Sequence, residues 1–233
     1  MNSYQRPAAA ATYGVRPAPE LVQRLLIGAF GWMFAGLLLT AGVAYFVTTS
    51  PTLTQATATL VLPIVLGQLV LGFVLTLGIN KMSAMAALLL FFVYAATMGL
   101  TIGLIVQSYN LGSVAGAFVS AAGMFGAAAV YGMVTKRDLS GIGSIAVMAL
   151  FGIIIASLVN VFMRSSQVEW LISLIGVGVF AAITAWNVQR ITNGQLAAVM
   201  KSAESATVFA AFQLYLDFIN LFLFMLRLFG SRR

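Results

Sequence analysis

An aspartate interrupts one of the most apolar stretches of the chain, LYLDFINLFLFMLRLFG at residues 214–230. An ionised carboxylate at bilayer depth costs several kcal/mol, so Asp217 must face a polar partner or cavity, or carry a proton. It lies about ten residues into its apolar segment, roughly 15 Å along a helix axis, too deep for a short side chain to reach the surface. A helix that starts later, with Asp217 as its cap, is the structural alternative. Few other polar side chains interrupt the apolar stretches. Asn220 follows Asp217 by one turn, Asn187 and Gln189 sit in TAWNVQRI, Asn160 closes GIIIASLVN, and Gln68 lies in mid-segment.

These residue types exclude more chemistry than they allow. The chain has no cysteine and no histidine, which removes disulfides, thiolate or imidazole catalysis and the usual zinc sites. An intramembrane aspartyl protease needs two carboxylates sharing a proton, and Asp217 is the single acid placed well inside the hydrocarbon. A seven-helix retinal protein needs a lysine in its last helix, and this one has none. The glycines lie within apolar helices, so no nucleotide-binding loop is present. The expectation is a protein that is not an enzyme and carries no cofactor.

The elements that position these residues follow from composition. Of 233 residues, 61% are hydrophobic and 7% charged, and the mean hydropathy is +1.03. Soluble domains carry about 25% charged residues, so this is an all-α integral membrane protein. Seven stretches reach the roughly 20 residues a bilayer requires, near 25–47, 56–79, 83–106, 112–134, 142–163, 168–188 and 207–229. Residues 1–22 read as a disordered cytosolic tail, and 23–233 as one seven-helix domain. The net charge of +7 is spread as single or paired residues between apolar runs, a topology signal and no nucleic-acid surface.

With the amino end cytoplasmic, Arg6, Arg16, Arg24, Lys81, Lys136, Arg137, Arg190 and Lys201 fall on the inner side. Arg164 then lies outside, and a full crossing by the last segment adds Arg227, Arg232 and Arg233 to it. A re-entrant last segment would return those three to the inside; its length favours the full crossing. In the fourth segment Gly112, Gly116, Ser120, Gly123 and Ala127 form one small-residue stripe, expected to pack in the bundle centre or to line a pore. Lys201 and Glu204 are spaced for a solvated ion pair. Asp138 and Ser140 are natural N-caps for the fifth helix, beside the anchoring charges Lys136 and Arg137.

Four stretches together, LYLDFINLFLFMLRLFG, YGMVTKRDLSGIGS, GIIIASLVN and TAWNVQRI, resemble the Bax inhibitor-1 family in its bacterial branch. The resemblance runs from about residue 23 to the end. It implies a bacterial inner-membrane protein of seven helices, the last of them central. Members are linked to calcium leak, to suppression of stress-induced cell death and, in bacteria, to modulation of a membrane protease. It also implies a pH-sensing pair of aspartates on the last two helices. Asp217 matches the second, whereas the stretch that carries the first reads Trp186-Asn187-Val188-Gln189 here.

Asn187 therefore stands where an acid is expected, and Lys81 is the nearest match to the basic residue thought to close the pore. Gln189 and Asn220 are candidate supporting groups. The expected activity is a calcium or cation leak with an altered pH sensor, Asp217 being the ion ligand and calcium the permeant ion. The alternative is a regulator without transport that binds a membrane protease or another membrane partner. A secondary transporter fits less well, since paired broken helices are absent. Asn187 and Asp217 also differ in expected depth: they meet only if the last helix starts nearer Phe209, or the sixth tilts.

Overall fold

The computed structural model describes residues 18–231. Residues 1–17 of the expected tail, with Arg6 and Arg16, and the terminal Arg232 and Arg233 lie outside the described residues, whereas residues 19–22 belong to the first helix. Nine helices and no β-strand occur among them: α1 Pro19–Thr49, α2 Pro51–Thr59, α3 Val61–Gly78, α4 Ala84–Val106, α5 Leu111–Val134, α6 Ser140–Met163, α7 Ser166–Thr192, α8 Gln195–Val199 and α9 Ala203–Phe229. Seven of these are long and apolar enough to cross a bilayer. Lipid offers the backbone no hydrogen bonds, so each apolar run closes its own as a helix. Proline at the first position of α1 pre-sets the helical φ, and the helix begins at Pro19 instead of near residue 25.

The second apolar stretch divides. Pro63 has no N–H to give Thr59, and the chain breaks at Leu60 between α2 and α3. Serine side chains cap several helices: Ser83 accepts from Ala86 N, Ser165 from Val168 N and Ser202 from Ser205 N. Asp138 accepts from Ser140 N at 2.9 Å, which holds its carboxyl below the usual range. Ser140 itself is the first helical residue and caps nothing. Asn160 accepts from Ser165 N, fastening the tight α6–α7 turn, and Gln68 donates to Thr101 between α3 and α4.

The most enclosed helix is α9. In its most apolar 18-residue window 78% of residues are buried, against 11–44% in the other six spans. It packs against α1, α4, α5 and α7, while α3 lies outside against α4 and α6 against α7. Edge-on rings fill the joints. Phe91 and Tyr94 of α4 meet Phe212 and Tyr215 at centroid distances of 5.2–6.2 Å, and Phe118 and Phe125 of α5 meet Phe218. Thr40 of α1 donates to Ala95 O at 2.8 Å and bonds Tyr215 OH at 2.7 Å, joining three helices by buried hydroxyls.

Both ends of α9 are tied down, at opposite faces of the bundle. At its start, Lys201 N donates to Asn80 Oδ1, the Lys201 ammonium donates to Met82 O, and Asn80 donates to Val199 O. Lys201 thus braces the α3–α4 turn, and makes no ion pair with Glu204. At its end, Ser231 O accepts from Asn110 N and Ser231 N donates to Ser113, both in the α4–α5 region. Those two connections cap opposite ends of α4, so α9 crosses completely.

The small-residue stripe of α5 takes an unexpected side. Gly112, Gly116, Gly123 and Ala127 are exposed on the outside of the bundle, with Ser120 half-buried. The buried face is Ala117, Ala121, Phe125, Ala129 and Gly132. Small residues surround this helix, so the stripe spacing alone did not choose between faces. Phe125 and the contact of Gly132 with Ala185 of α7 decide it.

Candidate functional site

Asp217 lies at the middle of α9, 3% exposed, on the face turned to α7. Asn187 of α7 is 4% exposed, and its Nδ2 donates to Asp217 Oδ2 at 2.9 Å. Thr184, one turn earlier on α7, stands within hydrogen-bonding reach of the same carboxyl and donates to Phe180 O at 2.7 Å. Asn187 Oδ1 is buried with no hydrogen-bond partner among the described residues. The Asp217 carboxyl is a side-chain acceptor in mid-helix, so the alternative of a late-starting helix capped by Asp217 is ruled out.

The depth of the pair is resolved by the loop between the helices. The last helix begins at Ala203, earlier than expected, so Asp217 lies about 21 Å along it. Asn187 lies about 8 Å from the end of α7 at Thr192. Residues 193–202, with the short α8, take up the difference, carrying the chain beyond the end of α7 before α9 turns back alongside it.

The other candidate groups do different work. Asn220 donates to Leu216 O within its own helix at 2.8 Å and is not joined to Asp217. Lys81 is exposed on the α3–α4 turn. Gln189, on another face of α7, clamps the α5–α6 loop: its Oε1 accepts from Leu139 N at 2.8 Å and its Nε2 donates to Arg137 O at 2.7 Å. This contact ties the TKRDLSG and NVQR stretches together. Gln189→Leu is expected to leave the buried Leu139 N–H unpaired, at about 1–3 kcal/mol. Faster hydrogen exchange confined to residues 135–140 is the readout, and unchanged exchange there contradicts the clamp.

Two features were missed in the sequence. Thr184 shares a helical face with Asn187 at i, i+3, a spacing that could have marked it. Gln213, half-buried four residues before Asp217, continues the polar stripe of α9 toward the α8 end. Toward the other end, Phe180 and Phe224 close the α7–α9 seam with ring centroids 5.8 Å apart. A cavity of about 870 Å³ lies elsewhere, between α1, α4, α5 and α9; it reaches Thr40, Phe218 and Phe222 but not Asp217.

A buried acid on the last helix is thus bonded to the preceding long helix at TAWNVQRI. A protein-family model described as "Inhibitor of apoptosis-promoting Bax1" matches residues 22–233. The chain belongs to the Bax inhibitor-1 family. It is 42% identical over 225 residues to "Inner membrane protein YbhL" of Escherichia coli K12, covering 94% of this chain and 96% of that one. A protein of Deinococcus radiodurans is 42% identical over 214 residues, covering 91% and 93%. One from Borreliella burgdorferi is 39% identical over 215 residues, covering 90% and 93%. Bax inhibitor-1 membership agrees with the seven long apolar helices. The acid expected at position 187 is replaced by an amide.

Proposed function

We propose that this Bax inhibitor-1 protein is a cation leak pathway of a bacterial inner membrane, without enzymatic activity, and that its amino terminus is cytoplasmic. The single observation that carries the reading is the buried Asn187–Asp217 hydrogen bond. A carboxyl at that depth is costly and is kept where ions or protons pass. Orientation is supported by charge. Arg24, Lys81, Lys136, Arg137, Arg190 and Lys201 gather at the end where α1 begins, with Arg164 and Arg227 opposite. The name of the E. coli relative supports the location. The described conformation is closed, and conduction requires the α7–α9 seam to part.

Two facing carboxylates titrate as a coupled pair, which makes a leak steep in pH. One carboxylate and one amide carry a single titrating group, so calcium is conducted weakly and the leak varies shallowly with pH. Calcium flux into proteoliposomes at about pH 6 and about pH 8 tests this, on either side of a coupled-pair transition. Asn187→Asp is expected to add a steep pH response absent in the wild type. A wild type already as steep as the variant contradicts the reading.

A second reading, a regulator that binds a membrane protease or another membrane partner, is favoured by one feature. The stripe at Gly112, Gly116 and Gly123 faces outward with open space beside it, a surface that helices in lipid can approach closely. Proteoliposomes silent to every cation in both the wild type and Asn187→Asp would select this second reading.

A further inference from the structure

The bundle parts on one side. Helices α1 and α5 both pack along α9, yet they scarcely touch one another. They meet at Phe30 and Phe125, whose rings lie edge-on 6.2 Å apart, and Phe125 in turn packs on Phe218 of α9. From that joint toward the end of the bundle where α1 finishes, the cavity of about 870 Å³ lies between them. Its walls are α1 and α5, and Ile102 of α4 with Phe218, Ile219 and Phe222 of α9 make its floor. Ala41 on one wall and Val119 on the other are exposed, about 12 Å inside the ends of their helices. The cavity therefore opens sideways, at the depth of lipid hydrocarbon.

Its lining decides what can enter. No charged side chain lines it among the described residues, and Thr48 and Gln107 lie at its outer end. At the deep end the Thr40 hydroxyl is already engaged with Ala95 O and Tyr215 OH. A buried water needs two to four polar partners, so the deep half is dry. A helix of a second copy would need a groove running through the whole span, and Phe30 and Phe125 close this one within it. A hydrocarbon chain is flexible, uncharged and able to end blind. Between Leu37 and Thr48 the groove follows α1 for about 16 Å.

We infer that this cavity holds one acyl chain of a membrane phospholipid, its methyl end against Phe218 and Phe222 and its headgroup outside, near Thr48 and Gln107. In the orientation proposed above, the lipid comes from the outer leaflet. The driving force is not the hydrophobic effect, since the chain leaves one hydrocarbon medium for another. It is the dispersion contact that the lining of an empty cavity forfeits. Neither α7 nor Asp217 lines the cavity, so the chain braces α9 from the side away from the Asn187 pair. The inference stands apart from the leak reading.

Photolabelling of the full chain in phosphatidylethanolamine–phosphatidylglycerol vesicles tests it. The probe is phosphatidylethanolamine with a diazirine at the end of one acyl chain, and adducts are mapped by mass spectrometry. Phe218, Ile219 and Phe222 are 3–7% exposed, so lipid reaches them through the cavity, whereas Phe151 and Phe162 of α6 face lipid directly. Adducts are expected at both places. Ala41→Phe combined with Ala115→Phe fills the groove, and should lower the α9 labelling about tenfold or more while α6 is labelled as before. In the wild type, moving the diazirine beside the glycerol should shift the adducts from the α9 floor to the Thr48 end. Labelling of α6 without α9 overturns the inference, as does α9 labelling that persists in the filled variant. Labelling of α9 by a free fatty acid with the same diazirine, but not by the phospholipid, overturns the occupant named here.

Discussion

Replacing Asn187 with leucine is expected to cost about 1–3 kcal/mol of stability, because it strips the buried Asp217 carboxyl of its Asn187 donor. Removing one partner of a buried charged hydrogen bond costs far more than removing both. The double variant Asn187→Leu, Asp217→Leu is therefore expected to recover most of the loss, leaving two apolar side chains packed in the α7–α9 seam. Unfolding in detergent across the four members of the cycle gives the coupling energy directly. Additive losses in the double variant would mean that the two side chains are not coupled.

Gly132→Ala is the structural counterpart. A Cβ at Gly132 would collide with the carbonyl oxygen of Ala185. That oxygen is backbone in the middle of α7 and has no rotamer to change, so α5 and α7 must separate. Overpacking of this kind costs about 1–3 kcal/mol, and here it also shifts the helix that carries Thr184 and Asn187. Gly123→Ala on the same helix is the control. A Cβ there would point to the outer face with nothing within 4 Å, and alanine is the better helix former by about 1 kcal/mol. The expectation is a lowered unfolding midpoint for the first and an unchanged or raised one for the second. The reverse order would mean that the exposed stripe, and not Gly132, is the packed face.

The contrast between those two glycines shows what the sequence could and could not say. The spans were legible because about 20 apolar residues in lipid have one solution, and the structure moves their ends by only a few residues, apart from the break at Leu60. Asp217 was legible because a lone acid in a greasy run has no bland surface role. The facing of α5 was not: Gly, Ala and Ser surround it, and hydrophobic periodicity is silent where no side is polar. Lys201 was misread for a related reason. Its spacing to Glu204 implied a helix at a position where the chain has already turned back, and its true partner, Met82 O, is remote in sequence. Gln189 was noticed, but its role in holding the α5–α6 loop depends on a carbonyl and an N–H about fifty residues away.

The buried hydroxyls teach the same lesson. Thr40 and Tyr215 are unremarkable letters in apolar runs, yet they form a three-helix joint with Ala95 O. Polar pairs in a membrane bundle are a property of two helices at once, so single-segment reading finds the expensive member, Asp217, and overlooks the cheap ones. Asn187 was noticed as one of the few polar groups in the apolar runs, and the resemblance singled it out by implying an acid at its position.

Cation flux into proteoliposomes carrying the wild-type chain or Asp217→Asn tests the central claim most directly. A cation pathway through the α7–α9 seam predicts a wild-type leak well above that of empty vesicles. It also predicts a variant leak at least about tenfold lower, a barrier change of about 1.4 kcal/mol or more. Equal leaks in the two proteins, with both folded to the same unfolding midpoint in choline, would contradict it.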